Sequence, residues 1–259
     1  VDVNAATSEG ILVTNVPDYC LDEVADHAVA MFLMMARRLR EYDTAVREGR
    51  WHWSASGGRV GRIGEMVAGI VAYGRIGRGI AQRLKPFGPT IVVYDPYVGR
   101  EQVAEDGCKL VSFEELVRTS DVVFIQAPLT GETRHMFDDQ ALSMMKGTAL
   151  IINTARGPII DDAALYQALS TGKIAGAALD DLEEEPAKLR DWRPDNPLLK
   201  LDNLLISPHA AYYSEESIVE ARSTAASEVA RVLSGAVPNH LVNRQVLKSP
   251  NLRVRMSNC

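Results

Sequence analysis

Three polar residues stand at the ends of apolar runs, and their chemistries complement one another. Arg156 follows ALIINTA, Glu185 lies five residues beyond Asp180 in LDDLEEEP, and His209 follows LLISP. A guanidinium offers a two-pronged donor to a carboxylate. An imidazole titrates near neutrality, and a neighbouring carboxylate orients it and stabilises its charged form. Gathered in one place, the three can hold an organic anion and move a proton. Each also has a plain structural reading: a helix-cap ion pair for Arg156, a solvated acidic run with Glu183 and Glu184 for Glu185, and a satisfied loop imidazole for His209. His27, His52, His135 and His240 lack such a context and are expected to be structural or surface groups. His27 and Asp26 are expected to form a polar contact inside an apolar helix.

A second constellation suits a phosphate. Ala72-Tyr73-Gly74-Arg75-Ile76-Gly77 follows an apolar run and opens a helical stretch. That is the context of the dinucleotide-binding G-x-G-x-x-G, here with Ala72 at the first glycine position. Gly74 lets the backbone approach a pyrophosphate, Gly77 lets helix and strand pack closely, and the helix N-terminus turns its N–H groups toward the anion. Asp95 ends the next apolar run, 18 residues after Gly77. A carboxylate there accepts hydrogen bonds from an adenosine ribose and repels a 2′-phosphate, which predicts NAD rather than NADP. The Ala72 methyl is expected to narrow the loop and at worst to weaken binding. Without a ligand, these glycines would merely make a sharp strand-to-helix turn.

The elements that must position these residues are legible as a rhythm. Apolar runs at 67–73, 90–94, 109–111, 121–127, 149–155, 175–180 and 203–208 alternate with helical stretches. Near-continuous apolar strands between helices indicate a parallel sheet covered on both faces, a doubly wound α/β architecture. In such a sheet ligands bind beyond the carboxyl ends of the strands, where Arg156 and His209 fall. Ser112 with Glu115 spells a capping box, Asp138 and Asp161 are expected N-caps, and Gly147 and Gly172 follow helix ends. Ahead of the sheet, residues 22–40 read as one helix, with Asp22 as N-cap and arginines in its last turns. Its middle is apolar on nearly every side, so it is expected between two packed bodies or at a two-fold subunit interface. A Gly-rich connector follows from Trp51 to Gly64, and Ser214 to Leu233 reads as a long amphipathic helix. The opening VDVNAATSEGILVTNVPDY alternates like a strand and turn, with nothing before it to pair with, so the chain is expected to enter partway through a domain.

Composition excludes several classes. The 259 residues carry 28 Lys and Arg against 34 Asp and Glu, a net charge of −6, with 46% hydrophobic residues, which suits a packed domain and leaves no concentrated basic face for nucleic acid. Arg37, Arg38 and Arg40 form the densest basic cluster, on an expected helix end. Cys20, Cys108 and Cys259 make no close metal-type pair, and no metal is expected; a reducing, cytoplasmic setting fits. The longest apolar run, Ala28 to Ala36, is half of what a bilayer span requires, and no segment reads as a signal peptide.

Six segments in order carry a family resemblance: VPDYCLDEVADHAVAMFLMMAR, VAYGRIGRGIAQRL, VVYDPY, NTARGPIIDDAAL, GAALDDLEEEP and SPHAAYYSEES. Together they resemble the D-isomer-specific 2-hydroxyacid dehydrogenases, and within them the branch of the C-terminal-binding proteins, over the chain to about Asn243. The resemblance implies a Rossmann NAD-binding domain, 22–212, inserted into a smaller flavodoxin-like substrate domain represented by 1–21 and 213–259. It also implies that the family's N-terminal portion, with a Gly-containing loop that helps hold the substrate carboxylate, lies before Val1. Arg156 would bind the substrate carboxylate and carbonyl, His209 would be the acid/base, Glu185 its partner, and Tyr212 would stand beside the substrate. Contacts to NAD would come from Gly74, Arg75, Ile76, Gly77, Asp95, Pro128, Thr133, Thr154, Ala155, Asp180 and Ala211. Three departures stand out: Gln126 where members often have His, Asp181 for the usual apolar residue after Asp180, and Ala72 for glycine. The reaction implied is hydride transfer between NAD(H) and a 2-oxo or D-2-hydroxy acid; the apolar 22–40 helix, read by itself, makes a homodimer the expected assembly. The rival reading is an NAD(H)-sensing, corepressor-like scaffold that binds protein partners.

Overall fold

Parallel strands buried on both faces need apolar residues at every position, and the seven apolar runs supply them. The computed structural model describes residues 1–254; the end of the expected 213–259 segment, with Cys259, lies outside the described residues. Before the sheet come helices α1 (Val3–Ser8), α2 (Leu21–Ala36) and α3 (Leu39–Arg47). The alternating region then runs β1 (Val67–Val71), α4 (Arg75–Leu84), β2 (Thr90–Tyr94), α5 (Arg100–Glu105), β3 (Lys109–Leu110), α6 (Phe113–Thr119) and β4 (Val122–Ile125). It continues through α7 (Asp139–Met144), β5 (Leu150–Asn153), α8 (Asp162–Ser170), β6 (Gly176–Leu179) and β7 (Leu204–Ile206), with α9 (Glu215–Leu233) after it. Among the described residues these strands form one parallel sheet in the order β3-β2-β1-β4-β5-β6-β7. Strand β1 pairs with β2 at Val67↔Thr90 and with β4 at Ala68↔Val122, so the order reverses beside β1. A crevice opens at that switch point, beyond the carboxyl ends of the strands.

The period of two sends alternate residues of one strand to opposite cores. In β4, Val123 and Ile125 join Leu116, Phe137, Ile151 and Leu165 on one face, whereas Val122 and Phe124 join Phe32, Ile70 and Ile80 on the other. Helix α2 covers the second face, with its Phe32 ring edge-on to Phe124 at 5.6 Å. It also crosses α4 so closely that a Cβ on Gly79 would lie 3.2 Å from that of Ala25. The crossing is pinned by Arg83 of α4, which donates to Asp22 at 2.7 Å and to Asp26 at 2.5 Å.

Chain contacts divide the molecule into two units, Leu21–Tyr212, which holds the sheet, and Val1–Cys20 with the segment from Tyr213 onward. Within the second unit, Asn243 is fully buried; it accepts from Val13 N and donates to Ile11 O and Thr7 Oγ1, each at 2.9 Å. One antiparallel bridge joins Thr14 to Leu241.

Local expectations differ from the structure in three places. The opening segment forms a helical turn rather than a strand, because Asp2 caps α1 through Ala5 N and Thr7 bonds back to Val3 O. Residues 22–40 are not one helix: α2 stops at Ala36, Arg38 takes a left-handed backbone, and α3 starts anew at Leu39. Asp22 lies inside the first turn of α2, where its charge suits the helix dipole, rather than at the cap. The 112–115 box is half made. Ser112 Oγ accepts from Glu115 N, while the Glu115 carboxylate turns outward to Lys109 Nζ at 2.8 Å. Asp138 and Asp161 do cap α7 and α8.

Candidate active site

The turn after β1 leads into α4 with Gly74 as its N-cap, and a Cβ placed on Gly74 would meet nothing within 4 Å. That leaves room beside Gly74 at the N-terminus of α4, the end of a helix that suits an anion. Gly77 is required by proximity, since its Cβ would lie 2.4 Å from Ala72 O. Ala72 has φ +71, a left-handed backbone that a glycine adopts without penalty. Asp95 is held by two backbone donors, Tyr73 N at 2.7 Å and Tyr97 N at 2.8 Å, which fix its carboxylate at the end of β2. Beyond β4, Thr133 Oγ1 donates to Pro128 O at 2.6 Å and closes the turn. A cleft of about 540 Å³ is lined by Ala72, Asp95, Pro128 and Thr133 together. A glycine open to solvent at a helix N-terminus, and a fixed carboxylate in the cleft that Ala72 of the same turn borders, fit the pyrophosphate and ribose of NAD.

Farther along the strand ends, the side chains interlock. Thr154 Oγ1 accepts from Gln126 Nε2 at 2.8 Å, and Asn153 braces the turn after β5 by accepting from Ala155 N and donating to Arg156 O. Arg156 is exposed and donates to Ala155 O at 2.6 Å. Asp180, 3% exposed, ties the ends of β6 and β7. Its carboxylate accepts from Ser207 Oγ, from Ala210 N and from Ala211 N, and its main-chain oxygen accepts from His209 N at 2.7 Å. The His209 ring is thereby presented from a left-handed backbone, φ +54, with the Tyr212 ring edge-on at 6.2 Å. A cavity of about 340 Å³, lined by Asp181, Leu182, Trp192, Leu199, Ile206 and His209, opens beside the imidazole.

The carboxylate nearest that imidazole is not the expected one. Asp181 Oδ2 lies 3.2 Å from His209 Nδ1, whereas Glu185 accepts from Lys188 Nζ at 2.5 Å across the short turn at Pro186–Lys188. Burial pushes the Asp181 carboxyl above the ordinary carboxylate range; the His209 charge and the Leu182 N–H pull it back, the Glu185 charge pushes it up again, and the Arg156 charge lowers it. Asp181 thus faces His209 directly, and its carboxyl responds to the Glu185 and Arg156 charges as well.

The expected His27–Asp26 pair is absent, because residues adjacent on a helix do not face each other. Asp26 serves Arg83, while His27 Nε2 sits 2.9 Å from Ser207 Oγ and 3.8 Å from Asp180 Oδ1, at the edge of the site. His135, expected to be a structural or surface group, is structural: its Nε2 is 2.5 Å from Glu183 Oε1 in the 181–186 loop, a partner that the sequence alone did not name. The one signal for that contact was an imidazole flanked in sequence by a threonine-rich turn and a capping aspartate.

Residues 29–211 match the sequence profile described as D-isomer specific 2-hydroxyacid dehydrogenase, NAD binding domain. The chain is 41% identical over 250 residues to a glyoxylate reductase from Korarchaeum cryptofilum, covering 96% of this chain and 74% of that protein. It is 37% identical to a D-3-phosphoglycerate dehydrogenase from Archaeoglobus fulgidus, covering 94% of this chain and 45% of that longer protein. Among solved structures, D-lactate dehydrogenase from Aquifex aeolicus, complexed with NAD and lactic acid, superposes with a TM-score of 0.86 at 33% identity, over 94% of this chain and 76% of that one. Among the described residues no helix is long and apolar enough to cross a membrane. The profile match, the relatives and the parallel sheet with its switch-point cleft agree: the chain belongs to the D-isomer specific 2-hydroxyacid dehydrogenases and carries the family's NAD-binding domain.

Proposed function

We propose that this protein interconverts a small 2-oxo acid and the corresponding D-2-hydroxy acid with NAD(H), with Arg156 and His209 acting on the substrate. The observation that supports the reading is His209 Nδ1 lying 3.2 Å from a buried carboxylate, Asp181, at the same end of the sheet as the switch-point cleft and the turn that carries Arg156. Bound NADH supplies the hydride, and the chain supplies position and charge. In reduction, the exposed Arg156 guanidinium receives the substrate carboxylate and polarises the adjacent carbonyl oxygen. Imidazolium His209 donates a proton to that oxygen as it becomes a hydroxyl; in oxidation the neutral ring takes the proton back. Asp180 does not react. It fixes the turn that carries the imidazole through its three accepted hydrogen bonds. The name of the glyoxylate reductase relative makes glyoxylate the first substrate to test, with pyruvate and longer 2-oxo acids beside it.

The experiment is a rate measurement on the purified chain with NADH and that panel, alongside NADH binding by fluorescence. His209→Ala is expected to lower kcat by about 10²- to 10⁴-fold, the usual contribution of one positioned acid/base, while NADH binding stays nearly intact. Near-parental turnover in the variant sinks the mechanism. Tight NADH binding by the parent chain without turnover of any 2-oxo acid would favour the sensing-scaffold reading instead.

A further inference from the structure

We propose that Asp181 is the positioning residue for the His209 imidazole, holding a proton on Nδ1 so that Nε2 faces the substrate, with Glu185 as an outer charge. The catalytic consequence rests on the function proposed above; the placement of the ring does not.

The geometry argues for it from both partners. Asp181 is 7% exposed, and its Oδ1 accepts from Leu182 N at 3.0 Å. Its Oδ2 is buried and makes no hydrogen bond, and the group facing it is the His209 ring, whose Nδ1 lies 3.2 Å away. A buried carboxylate oxygen is costly to leave unmatched, so a donor on Nδ1 is what this pocket calls for. On the other side, the His209 ring has little freedom. Its backbone N–H is bonded to Asp180 O, its φ is fixed at +54, and the Tyr212 ring closes one flank. The tautomer of a histidine follows the bond made by its other nitrogen, so an acceptor on Nδ1 leaves Nε2 as the nitrogen that exchanges protons. Glu185 is less suited to this role. Its side chain is 19% exposed against 6% for Asp181, and its Oε1 is already bonded to Lys188.

The charged and titratable groups around the pair are Glu185, bonded to Lys188, and Arg156, whose charges act on Asp181; Asp180, whose main-chain oxygen holds His209 N; and Tyr212, edge-on to the ring. Of these, Glu185 and Arg156 bear on the Asp181 carboxyl with opposite sign. An aspartate thus does on this chain what its sequence position, in an otherwise apolar run, does not advertise.

The test uses long-range ¹H–¹⁵N spectra of the ring nitrogens in the ¹⁵N-labelled full chain, with the His209 signals assigned by their loss in His209→Gln. The neutral ring of the parent is expected to be protonated on Nδ1. In Asp181→Asn and Asp181→Leu the Nε2-protonated form is expected to appear, while Glu185→Gln keeps the parental pattern. A parent ring protonated on Nε2 overturns the proposal even if both Asp181 variants fail to fold. Loss of the parental pattern in Glu185→Gln, with the Asp181 variants unchanged, overturns it as well. If the chain turns over a 2-oxo acid, Asp181→Asn is expected to lower kcat by about 10²-fold or more at unchanged NADH affinity, as a misplaced ring proton does elsewhere. The alkaline limb of its pH–rate profile is also expected to move to lower pH. A parent chain without turnover counts against the proposed function, while the ring spectra still decide the role of Asp181.

Discussion

Gly157 follows Arg156, and nothing about its backbone demands a glycine; what demands it is proximity. A Cβ there would lie 1.8 Å from Leu182 O, 2.1 Å from Leu182 C and 2.7 Å from Glu183 N. These are backbone atoms of the turn that carries Asp181 and Glu185, so no side chain can swing aside. Restoring ordinary contact, about 3.4 Å, requires the turn after β5 and the turn after β6 to part by roughly 1.5 Å. The Arg156 guanidinium moves with the first and the Asp181–His209 pair stays with the second. Misplacement of reacting groups by about 1 Å costs on the order of 10²-fold in rate, and forcing a methyl into packed surroundings costs about 1–3 kcal/mol. For a unit the size of Leu21–Tyr212, that destabilisation lowers Tm by about 2–12 °C. Gly157→Ala is therefore expected to lose about two orders of magnitude in kcat on the best 2-oxo acid and to melt earlier by that amount. Gly147→Ala, outside both cavities and with a Cβ that would meet only Lys173 O at an ordinary 3.8 Å, serves as the control. Steady-state kinetics and calorimetry on both variants decide it. Parental kcat and Tm in Gly157→Ala would show that the two turns are not braced against each other and that the geometric account of the site is wrong.

Three further outcomes are expected. The Asp95 carboxylate, fixed by two backbone N–H groups, repels a 2′-phosphate, so the KM for NADH lies well below that for NADPH and the gap narrows in Asp95→Ser; equal values in the parent remove the assignment. Burial pushes the Asp162 carboxyl up to about 6, against the bonds donated by Asn196 and Glu183 N. The folded state then holds this proton more tightly than the unfolded chain, so the stability linked to Asp162 is full below the ordinary carboxylate range and fades as pH rises through about 6. Asp162→Asn is expected to show a Tm difference from the parent that is more favourable near pH ~7 than near pH ~4, and a difference constant with pH counts against the burial argument. Finally, Ala72→Gly relieves a left-handed L-residue, worth roughly 1–2 kcal/mol, against about 0.4–1 kcal/mol of added chain freedom in the unfolded state. A small rise in Tm, with NADH binding no weaker, is expected, and a fall in Tm would mean that the turn is not strained.

The sheet was readable because parallel strands buried on both faces leave unbroken apolar runs, and all seven runs became strands. Arg156 and His209 were readable for the same reason, as polar residues at the points where those runs stop. What escaped the sequence lies in side-chain partnership. Asp181 looked like a mere departure from an apolar position, and Glu185 stood at the place the resemblance assigns to the partner of the histidine. Which of two nearby carboxylates reaches a ring depends on a turn geometry, here Glu185 at φ +49, that no periodicity encodes. The break between α2 and α3 was equally silent, since Arg38 enters the left-handed region with neither Gly nor Pro to announce it. The short α1 escaped because one aspartate cap outweighs a weak alternation over so few residues.

Among the described residues, five that are not glycine have left-handed backbones, and three of these, Ala72, Glu185 and His209, sit on turns at the carboxyl end of the sheet, around the two candidate sites. Such conformations cost of order 1–3 kcal/mol each and persist only where their surroundings hold them. Directed evolution for heat resistance alone would be drawn to these turns, where replacements such as Gly or Asn release strain at little apparent penalty. Heat-selected lineages of this protein should then gather changes at Ala72 first, where the side chain does no chemistry. At 185 and 209 the same pull would trade turnover for durability, so a screen that scores only survival would breed robust but sluggish catalysts.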